Sequence, residues 1–343
     1  MRLAKFLFLI ISLITLYGTF LVNESNEIQY DLYTDLDTGN YREESTARFD
    51  NFNMDFPKLS VSAIPIKTLV AQYYILGNKY NRALELLNES MDYNPYIMYN
   101  EMTKINVFNA LQMRDSAYYY SELAFTQLPN NQKHFIELAR SYVSTDKYEK
   151  LDSIFKIVKP KALPDIWKYY FSSLLTDESK ISDYGYEQAR EGIVKFSERP
   201  DLYREHLLSA NYVLIGMESV NKSLDLEDQA TREYNNSNFN LAAKIYEEAS
   251  ELNPINSDLF ENSGISYFQA SDYDNTLRML SKVTDSLSKI NPKTGKSEFV
   301  MSQSYYNLGD FVRACDYAYK SSSFDYKDAF KLVALYCGKE NQD

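Results

Sequence analysis

Between Pro95 and Pro129 the chain carries two runs of apolar residues at helical spacing, and the two prolines lie 34 residues apart (129 − 95 = 34). In the second run Ala117 and Ala124 sit seven apart, where two packed helices must come close, and Pro129 closes the run. A helix pair of this size cannot bury its apolar face alone, so it must stack on neighbours like itself. Such neighbours recur. One unit runs from Thr68 to Pro95 with Leu69, Tyr73, Leu76, Gly77, Tyr80, Ala83 and Leu87; another runs from Asn130 to Pro160 with Leu138, Ala139, Tyr142, Tyr148 and Phe155. A longer unit holds the only tryptophan, Trp167, and Tyr186-Glu187-Gln188-Ala189, with extra residues in its turn. Residues 201–224 match poorly. The pattern returns with Ala230, Phe239, Ala242, Tyr246, Ala249 and Pro254, then Phe260, Gly264, Tyr267, Tyr273 and Leu280. It ends with Tyr305, Leu308, Gly309, Asp310, Phe311 and Ala314, and an amphipathic helix over 327–337 is placed to cover the exposed end. The prediction is an all-α solenoid over residues 61–343 with about seven to eight helical hairpins and a C-terminal capping helix.

The stretches Leu76-Gly77-Asn78-Lys79-Tyr80-Asn81-Arg82-Ala83 and Leu308-Gly309-Asp310-Phe311-Val312-Arg313-Ala314 resemble the turn and second-helix start of the tetratricopeptide (TPR) repeat. The run from Ala242 to Pro254 does so too, and the resemblance covers roughly residues 66–337. It implies a right-handed superhelix of about 14 to 17 helices. It implies little about function, since the same repeat serves unrelated pathways.

The residue types have a packing reason. Ala83, Ala117, Ala242 and Ala314 let helix backbones approach, and the abundant aromatics, 31 Tyr and 19 Phe, fill the gaps between successive pairs. Gly77 and Gly309 stand where first helices end, and both are expected to take the left-handed conformation open to a residue without Cβ.

The first 22 residues belong to another class. Arg2 and Lys5 precede an uncharged, almost wholly apolar run from Phe6 to Val22, 17 residues long (22 − 6 + 1 = 17). No small-x-small cleavage pattern follows, and no cysteine is near enough for a lipid anchor. An uncleaved signal anchor over 1–22 is expected, with a cleaved signal peptide or an internal helix as alternatives. Arg2 and Lys5 on the cytoplasmic side would send the repeats across the membrane, to the periplasm in a Gram-negative cell. Residues 23–60 are acidic, with apolar positions scattered, and are expected to form a flexible stalk; folding onto the first repeat or a partner is the alternative.

Candidate chemistry is sparse. His134 and His206 lie in different repeats, neither with a second histidine at helical spacing, so no metal site is implied. No phosphate-cradling glycine loop is present, and no cofactor is implied. The net charge of −12, without a basic stripe, argues against nucleic acid. Cys315 and Cys337 are the only cysteines; a free buried thiol is expected for each, with a disulfide as the alternative. TPR modules that grip a chaperone's C-terminal carboxylate use lysines, asparagines and an arginine on adjacent first helices. Lys67 and Lys133 fit that set, but Ala71 and Glu137 stand where partners are required, so the activity does not carry over.

A second resemblance, in Phe56-Pro57-Lys58-Leu59-Ser60, Pro65-Ile66-Lys67, Asn94-Pro95-Tyr96 and Leu128-Pro129-Asn130-Asn131, is to the TPR region of bacterial O-antigen ligase/polymerase-type envelope proteins. It implies an envelope role beside a glycan-assembly membrane partner, without the many spans that carry the glycan chemistry. The expected function is that of a non-enzymatic, membrane-tethered scaffold binding a protein or peptide in the groove lined by first helices. A glycan-handling accessory is the alternative. Candidate groove residues, on the face opposite each packing stripe, are Tyr74, Tyr99, Asn106, Arg140, Phe268, Gln303 and Tyr306.

Overall fold

The computed structural model describes residues 2–197, 200–290 and 294–337; Met1 and residues 338–343, at the ends of the expected anchor and solenoid, lie outside them. Among the described residues all regular elements are helical, apart from one isolated bridge between Leu59 and Pro65. The chain divides into two compact units, Met1–Lys161 and Ala162–Asp343.

The first unit begins with α1 (Arg2–Thr38) and α2 (Glu43–Asn51). Three hairpins follow: α3 (Ile66–Leu76) with α4 (Tyr80–Glu89), α5 (Tyr99–Ala110) with α6 (Arg114–Gln127), and α7 (Gln132–Ser144) with α8 (Leu151–Val158). The second unit pairs α9 (Pro164–Leu174) with α10 (Asp183–Phe196) across a longer connection, and packs α11 (Pro200–Ile215) against both. It continues with α12 (Met217–Asn235) and α13 (Phe239–Leu252), α14 (Ser257–Gln269) and α15 (Tyr273–Ser281), α16 (Lys296–Asn307) and α17 (Phe311–Ser323), and ends at α18 (Ala329–Tyr336). The poorly matching stretch 201–224 is therefore not a hairpin. Gly216, at φ 96°, separates α11 from α12, and α12 takes α13 as its partner, leaving α11 without a second helix of its own.

The hairpin turns are built alike. Asn78, Gln112 and Asp146 have φ of 58°, 58° and 56° and are spaced 34 apart (112 − 78 = 146 − 112 = 34). Ser237 and Ser271 repeat the spacing (271 − 237 = 34) at φ 65° and 61°, and Gly309 follows at 80°. After each, the next N–H reaches back to a carbonyl five residues earlier: Lys79 to Tyr74 at 2.8 Å, Met113 to Phe108 at 2.8 Å, Lys147 to Tyr142 at 2.8 Å. Asn238 to Glu233, Asp272 to Tyr267 and Asp310 to Tyr305 do the same at 2.9 Å. This is the Schellman closure of a helix end, which satisfies carbonyls the helix leaves open. The left-handed position expected at Gly77 is taken by Asn78 instead, Gly77 having φ −85°. Gly77 serves another purpose: a Cβ there would lie 2.3 Å from the Tyr41 ring.

Hairpins close over small residues. Ala83, Ala117, Ala124, Ala242, Ala249 and Ala314 are all buried. At neighbouring close approaches serine hydroxyls bond across the interface, Ser263 Oγ donating to the Ala243 carbonyl (2.9 Å), Ser302 to Ala314 (2.7 Å) and Ser223 to Ala249 (3.0 Å). Each hydroxyl is thereby satisfied without adding bulk.

Residues 23–60 do not form a loose tether. Helix α1 runs without a break from the apolar segment to Thr38, and Ser25, Ile28, Gln29, Leu32 and Asp35 are buried along one stripe. Ile28 and Leu32 join a core with Phe49, Phe52, Met54, Leu69 and Tyr73. Polar contacts fix the same surface: Tyr73 Oη accepts from the Arg42 N–H (2.7 Å) and donates to its carbonyl (2.8 Å), while Arg42 Nη2 holds both Asp35 oxygens at 2.9 and 2.7 Å. The segment folds onto the first hairpin, the alternative left open above.

Cys315 and Cys337 are joined in a disulfide, not free. Packing of α18 on α17 brings their Cα atoms to 5.1 Å, within bridging range. Closing a loop of sequence separation 22 restricts the unfolded chain and stabilises the fold by about 3 kcal/mol. Purified protein should show no free thiol by mass-resolved alkylation before reduction, and Cys315→Ala should lower unfolding free energy by about that amount.

In the second unit Glu247 joins three helices: both oxygens accept from Arg278 (2.8 and 2.9 Å), and one also accepts from Tyr267 Oη (2.9 Å). The Arg278 bonds hold its carboxyl below the ordinary value of 4.5. A depressed folded-state value means stability that is present above pH 4.5 and lost as pH falls through the folded value. The melting-temperature gap between wild type and Glu247→Gln should therefore be widest near neutral pH and shrink as the pH is taken below 4.5.

Candidate functional site

The groove candidates fall in both units, Tyr74, Tyr99, Asn106 and Arg140 in the first and Phe268, Gln303 and Tyr306 in the second. Tyr74 on α3 is buried, and its hydroxyl donates to Asp50 Oδ2 at 2.7 Å while Arg82 Nη2 holds Oδ1 at 3.0 Å. Burial, then the Asp50 bond, push its ionisation well above the ordinary tyrosine range. Tyr74 is thus a tie between α2, α3 and α4, which removes it from the groove. Tyr99 on α5 is half-buried and accepts from Gln72 Nε2 on α3 at 3.1 Å, so these two do meet between first helices of adjacent hairpins. Asn106 is exposed on α5, and Arg140 is exposed on α7 with Nη1 on Glu137 at 2.8 Å.

In the second unit Phe268 packs toward Tyr273 (5.8 Å between rings) and into a cluster with Leu280, Val300 and Met301. Tyr306 stacks on Tyr336 of α18 at 4.2 Å and meets Phe311 edge-on at 5.3 Å, which makes it part of the closing contact rather than a ligand platform. Gln303 is half-buried on α16, with its carbonyl accepting from Asn307 Nδ2 at 2.9 Å.

The histidines are structural. His134 Nδ1 lies 2.9 Å from the Ala124 carbonyl and burial lowers its ionisation, while His206 Nε2 lies 2.9 Å from the Pro164 carbonyl. Lys67 is held by Glu89 (2.9 Å) and Asp55 (3.1 Å). Burial alone would lower its ionisation, but those bonds carry it above the ordinary lysine range. A lysine locked this way is committed to the fold rather than to a carboxylate ligand.

A groove also lies along α11, within the stretch 201–224 that matches the repeat poorly. Between α9 and α11 a cavity of about 380 Å³ is lined by Lys168, Ser172, Leu175, Thr176, Glu205, Leu208, Ser209, Tyr212 and Met217. Leu175, Leu208 and Met217 give it an apolar lining, and Lys168 Nζ spans it to Glu205 at 2.8 Å. That bond lowers the Glu205 ionisation. The pair is solvent-exposed, so it marks polarity more than it holds structure. The signal was present in the sequence: 205, 208, 209 and 212 fall on one helical face, as do 168, 172, 175 and 176. It was hidden because α11 has no second helix to complete the repeat.

Among the described residues no group of three or more His, Cys, Asp or Glu is placed to hold a metal.

No protein-family model matches the sequence, and no curated protein matches it. Solved structures that the chain is similar to include a tetratricopeptide repeat protein from Parabacteroides merdae (12% identity over 79% of this chain and 97% of that one, TM-score 0.35). Others are the P58(IPK) TPR domain (9%, covering 90% and 98%, TM-score 0.38) and PilW, a type IV pilus biogenesis factor (14%, covering 78% and 97%, TM-score 0.27). The assignment of a TPR-type hairpin array rests on the 34-residue recurrence of the turns and the buried small residues described above.

Tyr74→Phe should lower stability by about 1–2 kcal/mol in urea unfolding, because Asp50 loses the hydroxyl of a buried partner, and should leave ligand binding unchanged.

Proposed function

We propose that this protein is a non-enzymatic scaffold, tethered to a membrane through the first half of α1, that binds an extended protein segment along its first-helix faces. The observation that carries this is the α9–α11 groove, with its apolar lining and the exposed Lys168–Glu205 pair across it. Peptides bind such surfaces through a few buried anchors with polar groups fixing orientation. The tether is supported by α1, where the side chains of Phe6, Leu7, Phe8, Leu9, Ile11, Leu13, Ile14 and Leu16 are exposed with no protein to cover them. Placement of the repeats outside the cytoplasm draws on Arg2 and Lys5 ahead of the apolar run, and on the Cys315–Cys337 disulfide, which persists in oxidising compartments.

Crosslinking in the native membrane followed by mass spectrometry should recover a defined protein partner. Its yield should fall at least tenfold on Leu208→Asp or Tyr212→Ala, both in the groove. Capture of saccharide with no protein crosslink would replace the scaffold with the glycan-handling alternative. Protease added to intact spheroplasts should digest the repeats; their survival would place them on the cytoplasmic side.

A further inference from the structure

The stripe that α1 buries against the first unit does not stop where its apolar run begins. Ser25, Ile28 and Leu32 are buried, and Leu21 and Gly18, at the preceding turns of the same face, are half-buried, while Tyr17, Thr19 and Phe20 beside them are exposed. The cover over Gly18 includes the loop after α2. Phe56 Cε1 lies 4.0 Å from the point that a Cβ on Gly18 would occupy, an ordinary van der Waals contact. Gly18 is four residues inside the end of the apolar run (22 − 18 = 4), so at ~1.5 Å per residue the ring meets α1 about 6 Å below the level of Val22. Phe56 keeps 48% of its surface exposed, and the side chains of α1 exposed at that level are Tyr17 and Phe20.

The loop holds the ring there from both sides. Phe52 and Met54 are buried in the core of the unit, and the Lys58 carbonyl accepts from the Ile66 N–H at 3.0 Å. Its polar groups are already engaged. The Asp55 N–H donates to Asn53 Oδ1 (3.0 Å), and the Asp55 carboxylate accepts from Tyr93 Oη (2.6 Å) and Lys67 Nζ (3.1 Å). Pro57 has no N–H to satisfy. A polar group that is bonded before it leaves water costs far less to move than an open one. Whatever medium surrounds Tyr17 and Phe20 also meets the free side of Phe56. We propose that the 54–58 loop is a second membrane contact of the first unit, with Phe56 inserted among lipid acyl chains beside Gly18. The depth agrees with the ~5–10 Å to which interfacial apolar groups enter a bilayer. The proposal rests on the tether reading above and deepens it: the unit is held to the lipid at two points of its chain.

The test reads depth from tryptophans placed in the full-length protein, reconstituted in phosphatidylcholine vesicles. Phe56→Trp is compared with Leu16→Trp, inside the apolar run, and with Val61→Trp, at a position 92% exposed. The native Trp167 is fully buried and gives a background that wild type measures. Lipid brominated at the headgroup end of its acyl chains should quench Phe56→Trp about as strongly as Leu16→Trp and at least about threefold more than Val61→Trp. Acrylamide in the water should give the reverse order. In wild-type protein, magnetisation transfer from acyl-chain methylenes to the Phe56 ring, assigned by its loss in Phe56→Leu, reads the same contact without a new side chain. Lipid quenching of Leu16→Trp, with Phe56→Trp as open to acrylamide as Val61→Trp, would overturn the loop contact and leave the tether standing. So would the absence of transfer to the Phe56 ring. Leu16→Trp open to acrylamide would remove the tether and the loop contact together.

Discussion

Close approach of paired helices is the constraint on which the structure depends. Each hairpin brings two backbones together over alanine, serine or glycine, and any larger side chain there must displace a neighbour. At Gly264 the nearest atoms of Leu280 already lie 2.7 Å from where a Cβ would stand. Once the small positions are fixed, the aromatics have only the remaining gaps, and Trp167, Phe171 and Phe196 fill one of them edge to face within the α9–α10 pair. The turn geometry follows from the same demand. A chain that must reverse within three or four residues needs one left-handed residue, and it falls at the same register each time.

That economy also explains where the surface differs. Where the repeat is complete, the inner faces are occupied by contacts such as Gln72 with Tyr99 or by ring packing around Phe268. Where α11 stands without a second helix, its flank is open, and the groove against α9 lies there. An interruption in the repeat thus leaves apolar surface unmatched by the chain itself. This is a physical route from a defect in periodicity to an open groove.

The hairpins were legible in the sequence because the small, aromatic and proline positions repeat together and act locally. The folding of residues 23–60 was not. Its burial stripe mixes Ile28 and Leu32 with Ser25, Gln29 and Asp35, so hydropathy alone reads it as scattered. Asp35 is buried only because Arg42, beyond the helix end, supplies two hydrogen bonds. Tyr74 and Tyr306 are taken up by packing for a related reason. A helix face opposite the packing stripe of one hairpin can be the packing face for the next, as Tyr306 is for Tyr336, and that depends on contacts a single helix does not encode. The disulfide likewise needed the approach of α18 to α17, a distance and not a pattern.

Helix α1 has a mechanical consequence. Its apolar stretch ends at Val22 and its first core residue of the repeat unit is Ile28, six positions on, which at ~1.5 Å per residue is a rise of about 9 Å. There is no swivel in between, since the helix is unbroken. With the apolar stretch in a bilayer, the first unit would behave as a fitting bolted to a post: tilt of the post becomes tilt of the unit, and the unit turns only as the post turns. Its sampling volume would be a thin layer along the membrane rather than the hemisphere that a loose leash sweeps out. Partners would then be selected first by altitude, and only afterwards by sequence.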